Sequence, residues 1–221
     1  MKRALLLDFD GLIIDTETVV YEAWAAVFRE HGIEPIDLDE WEQGLGRPDD
    51  DPLVVDPERR LLDLLGPDLD LDALHVWRRA RRDELLAAEP IRPGIERWID
   101  TARSLGLGVA VASSSPIDWV EPKLIDRGLR DRIDAVSCAG DGVPGKPDPA
   151  VYLRACALLG ADPAQAVAAD DTPNGVTAAK AAGVYCIGVA ANMTAHLDLS
   201  HADVVVSSLA EIDAGEVLGA R

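Results

Sequence analysis

Ala4-Leu5-Leu6-Leu7-Asp8-Phe9-Asp10-Gly11-Leu12-Ile13-Ile14-Asp15 runs an apolar stretch directly into two carboxylates that stand two positions apart. Ala4 to Leu7 shows no polar–apolar alternation, which is the pattern of a strand covered on both faces in a parallel sheet. Carboxylates leaving such a strand lose hydration, and a cation or a proton-transfer role is needed to offset that cost. Strand geometry of period two points Asp8 and Asp10 the same way, and Gly11 lets the backbone turn straight after them.

A doubly covered strand requires neighbours, and the second half of the chain supplies them. From Pro93-Gly94 onward helix and strand patterns alternate. Ile95, Trp98, Ile99, Ala102 and Leu105 have helical spacing, and Leu107 to Ala112 is an apolar strand closing on Ser113-Ser114-Ser115. Further strands are expected at 135–139, 166–169, 185–190 and 204–206, with helices at 118–127, 150–159 and 174–182. This alternation predicts an α/β fold with a Rossmann-like parallel sheet and helices on both faces, in which ligands bind beyond the carboxyl ends of the strands. Between the first strand and Pro93 the pattern is helical only: Val20, Ala23, Trp24, Val27 and Phe28 lie on one face within 17–31, and helical patterns recur at 58–65 and 71–88. The expected organisation is therefore an α/β core of residues 1–15 and 90–221, interrupted after its first strand by an all-helical segment of residues 16–89.

Composition narrows the class. The chain has 221 residues, 48% of them hydrophobic but only 5% aromatic, as fits a core of Ala, Val, Leu and Ile. No apolar run is long enough to cross a bilayer, and Asp8 and Asp10 interrupt the stretch a secretory signal would need. Cys138, Cys156 and Cys186 are odd in number and far apart, which speaks against a disulfide framework or a CxxC site and for a reducing cytoplasm. His31, His75, His196 and His201 lack zinc-ligand spacing. A formal charge of −19 repels nucleic acid and anionic membranes and leaves small molecules or cations as ligands. A solubilising acidic surface and a high-salt habitat both explain the bulk of that charge.

Four groups of polar residues follow strands: Asp8 and Asp10 the first, Ser113 the second, Lys146 in Gly145-Lys146-Pro147-Asp148-Pro149 the third, and Asp170-Asp171 the fourth. In a parallel sheet all four converge on one edge. The set fits phosphoryl transfer, which needs carboxylate oxygens for Mg²⁺, a nucleophile, and an ammonium and a hydroxyl for the phosphate. Each member has a plainer alternative: Lys146 as a solvated loop residue, Ser113 as a turn former, Asp170-Asp171 as a helix cap before Thr172-Pro173-Asn174. Lys146 nevertheless stands out, because the chain has four lysines against seventeen arginines.

In this order the four groups resemble the motifs of the haloacid dehalogenase superfamily, over essentially the whole chain. Asp8 to Glu17 resembles the first motif, Val111 to Ser115 the second, Gly145 to Pro149 the third, and Asp170-Asp171-Thr172-Pro173-Asn174-Gly175 the fourth. The helical segment is similar to the small cap of the β-phosphoglucomutase-like subgroup. The resemblance implies that Asp8 attacks phosphorus and becomes an aspartyl-phosphate, while Asp10 protonates the leaving oxygen and later deprotonates water. It implies Mg²⁺ held by Asp8, the backbone carbonyl of Asp10, and Asp171 with Asp170. It also places phosphate oxygens on Ser113 and the Ser114 N–H and their compensating charge on Lys146, and puts Gly11, Glu17, Arg47 and Asn174 on the substrate side. Arg47, in Gly44-Leu45-Gly46-Arg47, is equally explained as an exposed partner of Asp49, Asp50 or Asp51.

Two departures bear on the activity. The fourth motif usually opens with Glu, so Asp170 is one methylene shorter and is expected to reach the metal through water. Mutase relatives usually carry a His after the first motif, where this chain has Thr18-Val19-Val20. The expected function is a Mg²⁺-dependent phosphatase acting on a small phosphorylated metabolite, a sugar phosphate by class, working as a monomer or small homo-oligomer. The alternatives are a β-phosphoglucomutase-type phosphomutase and a catalytically silent phosphate-binding module. A dehalogenase would not need the Mg²⁺ cluster of Asp10 and Asp171.

Overall fold

A computed structural model describes residues 3–45, 51–140, 142–190 and 192–219. The chain forms two compact units, Met1–Ile14 with Ile91–Arg221 and, between them, Asp15–Pro90. In the first unit, β1 (Ala4–Leu7), β2 (Gly108–Ser113), β3 (Ala135–Cys138), β4 (Ala166–Asp170), β5 (Tyr185–Val189) and β6 (Val204–Val206) make a parallel sheet in the order β3-β2-β1-β4-β5-β6. β1 is central, with Leu6 level with Ala110 on one side and Ala168 on the other. The chain leaves β1 toward β2 on one flank and reaches β4 on the other, so the carboxyl end of β1 lies at the point where strand order reverses, where α/β sheets bind ligands.

β1 is wholly apolar, and β2 and β4 are apolar up to their last residues, Ser113 and Asp170, because both faces are covered. Ala4, Leu6, Ala110, Ala112 and Ala168 join one core with Val151, Tyr152 and Ala155 of α7 (Ala150–Leu159) and Val176 and Ala179 of α8 (Pro173–Ala181). Alternation sends Leu5, Leu7, Val109 and Val111 to the other face, where α5 (Ile95–Ser104) packs on β1 and β2. Trp98 of α5 is fully buried and donates its indole N–H to the Leu209 carbonyl at 2.9 Å, tying α5 to the segment before α9 (Ala214–Gly219). α6 (Ile117–Asp126) packs beside β3.

The second unit contains α1 (Thr16–Glu30), α2 (Leu38–Gly44), α3 (Pro57–Leu65) and α4 (Leu71–Ala88) around Trp24, Val27, Phe28, Ile36, Leu61 and Leu74. Asp15, Asp37, Asp56 and Asp70 stand at the four helix N-termini and accept backbone N–H bonds there. Part of the acidic excess is therefore capping, a local structural use of charge.

Two helices differ from the sequence expectation. α2 was not expected because Leu38-Asp39-Glu40-Trp41-Glu42-Gln43-Gly44 has no apolar stripe, and it buries no residue fully; its Asp37 cap and the half-buried Trp41 hold it. α9 is a short terminal turn that buries only Ala214 and Leu218. β4 also runs one residue further than expected and takes in Asp170.

Trp98→Ala should destabilise by about 3–5 kcal/mol, as loss of a large buried aromatic does, and Asp70→Ala by about 1 kcal/mol through its cap. Urea unfolding of each variant checks the ratio. Equal losses would contradict the placement of the core.

Candidate active site

The site is built by the backbone at the end of β1. The Asp8 N–H still donates to the Ala169 carbonyl at 3.0 Å, so Asp8 stays in the ladder beside β4, and then Gly11 donates to Ile14 at 2.8 Å as the chain turns. Gly11 has φ of 81°, and a Cβ there would stand 2.2 Å from an oxygen of Asp171. A side chain at this position is excluded twice, by conformation and by the carboxylate it would strike. At Gly175 the steric reason alone applies: the Asp170 carboxylate lies 1.9–2.0 Å from where a Cβ would be.

Asp8, Asp170 and Asp171 are all buried, and one carboxylate oxygen from each lies within 4.8 Å of the others. Lys146 reaches them from the loop after β3. Its ammonium binds Asp8 Oδ1 directly and Asp170 Oδ2 at 2.7 Å, with only 5% of the side chain exposed. It is a buried ion-pair partner, which settles the question of a solvated loop lysine. The Tyr152 hydroxyl donates to the same Asp170 oxygen at 2.5 Å, and the Thr172 N–H and hydroxyl both donate to the other at 3.0 Å. Thr172, not the Asp pair, caps α8 by accepting from the Gly175 N–H. The helix-cap alternative for Asp170-Asp171 is thereby corrected: Asp170 is still in the strand, and Thr172 stands at the N-cap position of α8.

The electrostatics follow from one ammonium among several acids. Burial pushes the Asp8 carboxyl up to about 7, against the pull of Lys146 and with the repulsion of Asp170 and Asp10 behind it. For Lys146 burial acts downward, but Asp170 and Asp8 outweigh it and hold the ammonium charged. Burial and Asp170 push the Tyr152 hydroxyl well above its ordinary value, so it remains a donor. The surplus of buried carboxylate oxygen is a donor set suited to a hard divalent cation such as Mg²⁺, which would be held by Asp8, Asp170 and Asp171.

The Asp10 side chain is outside this trio. It accepts from Ser115 Oγ at 2.6 Å and from Trp119 Nε1 at 2.8 Å, while Ser113 Oγ stands 3.5 Å away. Ser113 is buried at the end of β2, accepting the Ser115 N–H at 3.0 Å. Ser114 is exposed, and its hydroxyl accepts the Lys146 N–H at 3.0 Å, which fixes the third loop to the second. Asn174 lies in the first turn of α8 and Glu17 in the first turn of α1, in the other unit. Arg47 is outside the described residues. Tyr152 and Trp119 are not singled out in the sequence, and Ser115 enters there only as the last residue of the second motif. Tyr152 reads there as an ordinary core aromatic of a helix, and only its distance of six residues from Lys146 hints at more.

The family model described as haloacid dehalogenase-like hydrolase matches residues 2–183. The candidate phosphatase YhcW of Bacillus subtilis (strain 168) is 37% identical over 213 residues, 96% of this chain and 94% of that protein. Hexitol phosphatase B of Escherichia coli (strain K12) is 35% identical over 218 residues, 98% of this chain and 96% of that protein. Among solved structures, CbbY from Rhodobacter sphaeroides in complex with phosphate is similar at a TM-score of 0.73 and 28% identity, covering 96% of each chain.

The raised Asp8 carboxyl gives a pH prediction. In the metal-free fold Asp8 keeps its proton up to about pH 7, whereas the unfolded chain releases it near 4, so this stabilisation is full at low pH and is lost as pH rises through 7. A cation competes with that proton. Mg²⁺ should therefore raise the melting temperature more at about pH 8 than at about pH 5.5. Thermal melts with Mg²⁺ and with EDTA at both pH values test it, and equal shifts would contradict it.

Proposed function

The chain belongs to the haloacid dehalogenase-like hydrolase family, and on that premise we propose that it is a Mg²⁺-dependent phosphatase of a small phosphorylated metabolite, a sugar phosphate by class. The observation that carries this reading is the buried Lys146 ammonium bridging Asp8 and Asp170 inside a cluster of three carboxylates. Such a site already carries a surplus of carboxylate charge and a bound phosphate would add to it, so both depend on the Lys146 ammonium and a cation to offset them.

In the proposed reaction an Asp8 oxygen attacks phosphorus in line, and the bond from phosphorus to the substrate oxygen breaks with its electron pair. Asp10 supplies the proton that the leaving oxygen takes up. Water then attacks the aspartyl-phosphate and gives a proton to Asp10, and the Asp8 carboxylate is regenerated as inorganic phosphate leaves. Ser113, the Ser114 N–H and Lys146 bind the phosphoryl oxygens whose charge grows in the transition state. Bound Mg²⁺ would supply the positive charge that lets an anionic nucleophile approach an anionic phosphate. We assign residues 16–89 the role of a substrate-selecting cap, with Glu17 and Arg47 as its contacts and with Gly11 and Asn174 on the core side.

Relatives carry both names, phosphatase and beta-phosphoglucomutase, and it is the lack of an imidazole at Thr18-Val19-Val20 that favours hydrolysis over phosphomutase chemistry. Its place of work is proposed to be the cytoplasm, which the three buried free thiols support, and its state a monomer or small homo-oligomer; among the described residues no helix is long and apolar enough to cross a membrane.

A screen for phosphate release over phosphorylated metabolites, with Mg²⁺ and with the Asp8→Asn protein as blank, tests the reading. Asp8→Asn should have no turnover, and Asp10→Asn should lose roughly 10²–10⁴-fold, the range of general acid–base catalysis. Full turnover in EDTA would sink the assignment. Phosphorus NMR of a reaction fed β-glucose 1-phosphate should show no build-up of glucose 6-phosphate without inorganic phosphate. The opposite outcome would establish the mutase.

A further inference from the structure

Trp119 lies in the first turn of α6, half-buried, and spends its indole N–H on a carboxylate. That is unlike Trp98, whose fully buried ring satisfies its N–H on a backbone carbonyl, as a core tryptophan does. The partner is Asp10 Oδ1 at 2.8 Å, and the other Asp10 oxygen accepts from Ser115 Oγ at 2.6 Å. Both oxygens are thus directed by donors from the loop after β2 and from α6. The indole is itself fixed: Lys123 Nζ lies 3.2 Å from its ring centroid and donates to the Trp119 carbonyl at 2.9 Å. A cation over the π face draws electron density from the ring and strengthens its N–H as a donor.

An indole nitrogen can only donate. The Oδ1 atom facing it is therefore in its accepting role, which is the role required of Asp10 when it takes a proton from water. We propose that Trp119 is a positioning residue that holds Asp10 in its base pose and so favours hydrolysis of the aspartyl-phosphate. This inference rests on the phosphatase reading above. In the step it serves, the water oxygen bonds to phosphorus, the water proton passes to Asp10, and the phosphorus–oxygen bond to Asp8 breaks with its electron pair returning to the Asp8 carboxylate. The donor of the first half-reaction is less dependent on the anchor, since Asp10 must turn from the indole to deliver a proton to the leaving oxygen.

Rapid-quench measurement of phosphoenzyme formation and decay, with acetyl phosphate and Mg²⁺, separates the halves, because acetate leaves without needing a proton. Trp119→Phe keeps a ring beneath Lys123 and removes the N–H. Its decay constant should fall roughly tenfold, well inside what misplacement of a reacting group costs, while formation stays within about twofold of the parent. Lys123→Met, which leaves the indole in place, should slow decay by roughly twofold to threefold with formation unchanged, as loss of a weak cation–π contact allows. Decay unchanged in both variants, or formation and decay falling together, overturns the assignment of Trp119. Absence of any phosphoenzyme in the parent protein would instead overturn the phosphatase reading, so the two failures are distinct.

Discussion

One ammonium buried among several carboxylates is the constraint on which the rest of the molecule depends. Lys146 has to reach Asp8 and Asp170 from a loop after β3, across the width of β2, while both acids remain shielded from water. Breaking such a pair by removing one partner typically costs about 3–5 kcal/mol, a large part of a domain's stability of about 5–15 kcal/mol. The surroundings accordingly hold each member. Tyr152 and Thr172 satisfy Asp170, Ser114 accepts the Lys146 backbone N–H, and Gly11 and Gly175 clear the space the carboxylates fill.

This explains the sheet as much as the site. The acids can be buried only where adjacent strands end together, and the order β3-β2-β1-β4 brings all four loops to that edge. The two sides of the centre then have separate tasks. The side formed by β1, β4 and Lys146 is rich in charge and suited to a cation and a phosphoryl group. The side formed by β2 and α6 carries neutral donors, Ser113, Ser115 and Trp119, and these address Asp10. Two acids only two residues apart are thereby given different surroundings, as the proposed division into a nucleophile and an acid–base group requires.

Much of this was legible in the residues. The strand Ala4–Leu7 and the acids after it declare themselves because charge directly after a doubly buried run is rare, and the same logic finds Asp170-Asp171. Strands and the long helices follow from periodicity, since each buries a face. α2 escaped because Asp39, Glu40 and Glu42 leave it no apolar stripe, and α9 because it is barely a helical turn and a half. Among site residues, Lys146 and the aspartates were found by charge in an apolar setting. Tyr152 and Trp119 were not, because an aromatic at helical spacing looks the same whether its polar atom meets a backbone carbonyl or an acid of the site. Which one it meets is decided by strand order, a long-range property that no local window of sequence contains.

If Asp8 is the nucleophile, as proposed, the charge cluster around it serves that role. The direct measurement is the site of covalent phosphoryl attachment, mapped by mass spectrometry on protein quenched in acid after brief exposure to acetyl phosphate with and without Mg²⁺. A single phosphoryl group on Asp8, formed only when Mg²⁺ is present, is the expected result. Attachment to any other residue, or equal labelling of Asp8 without the metal, would contradict it.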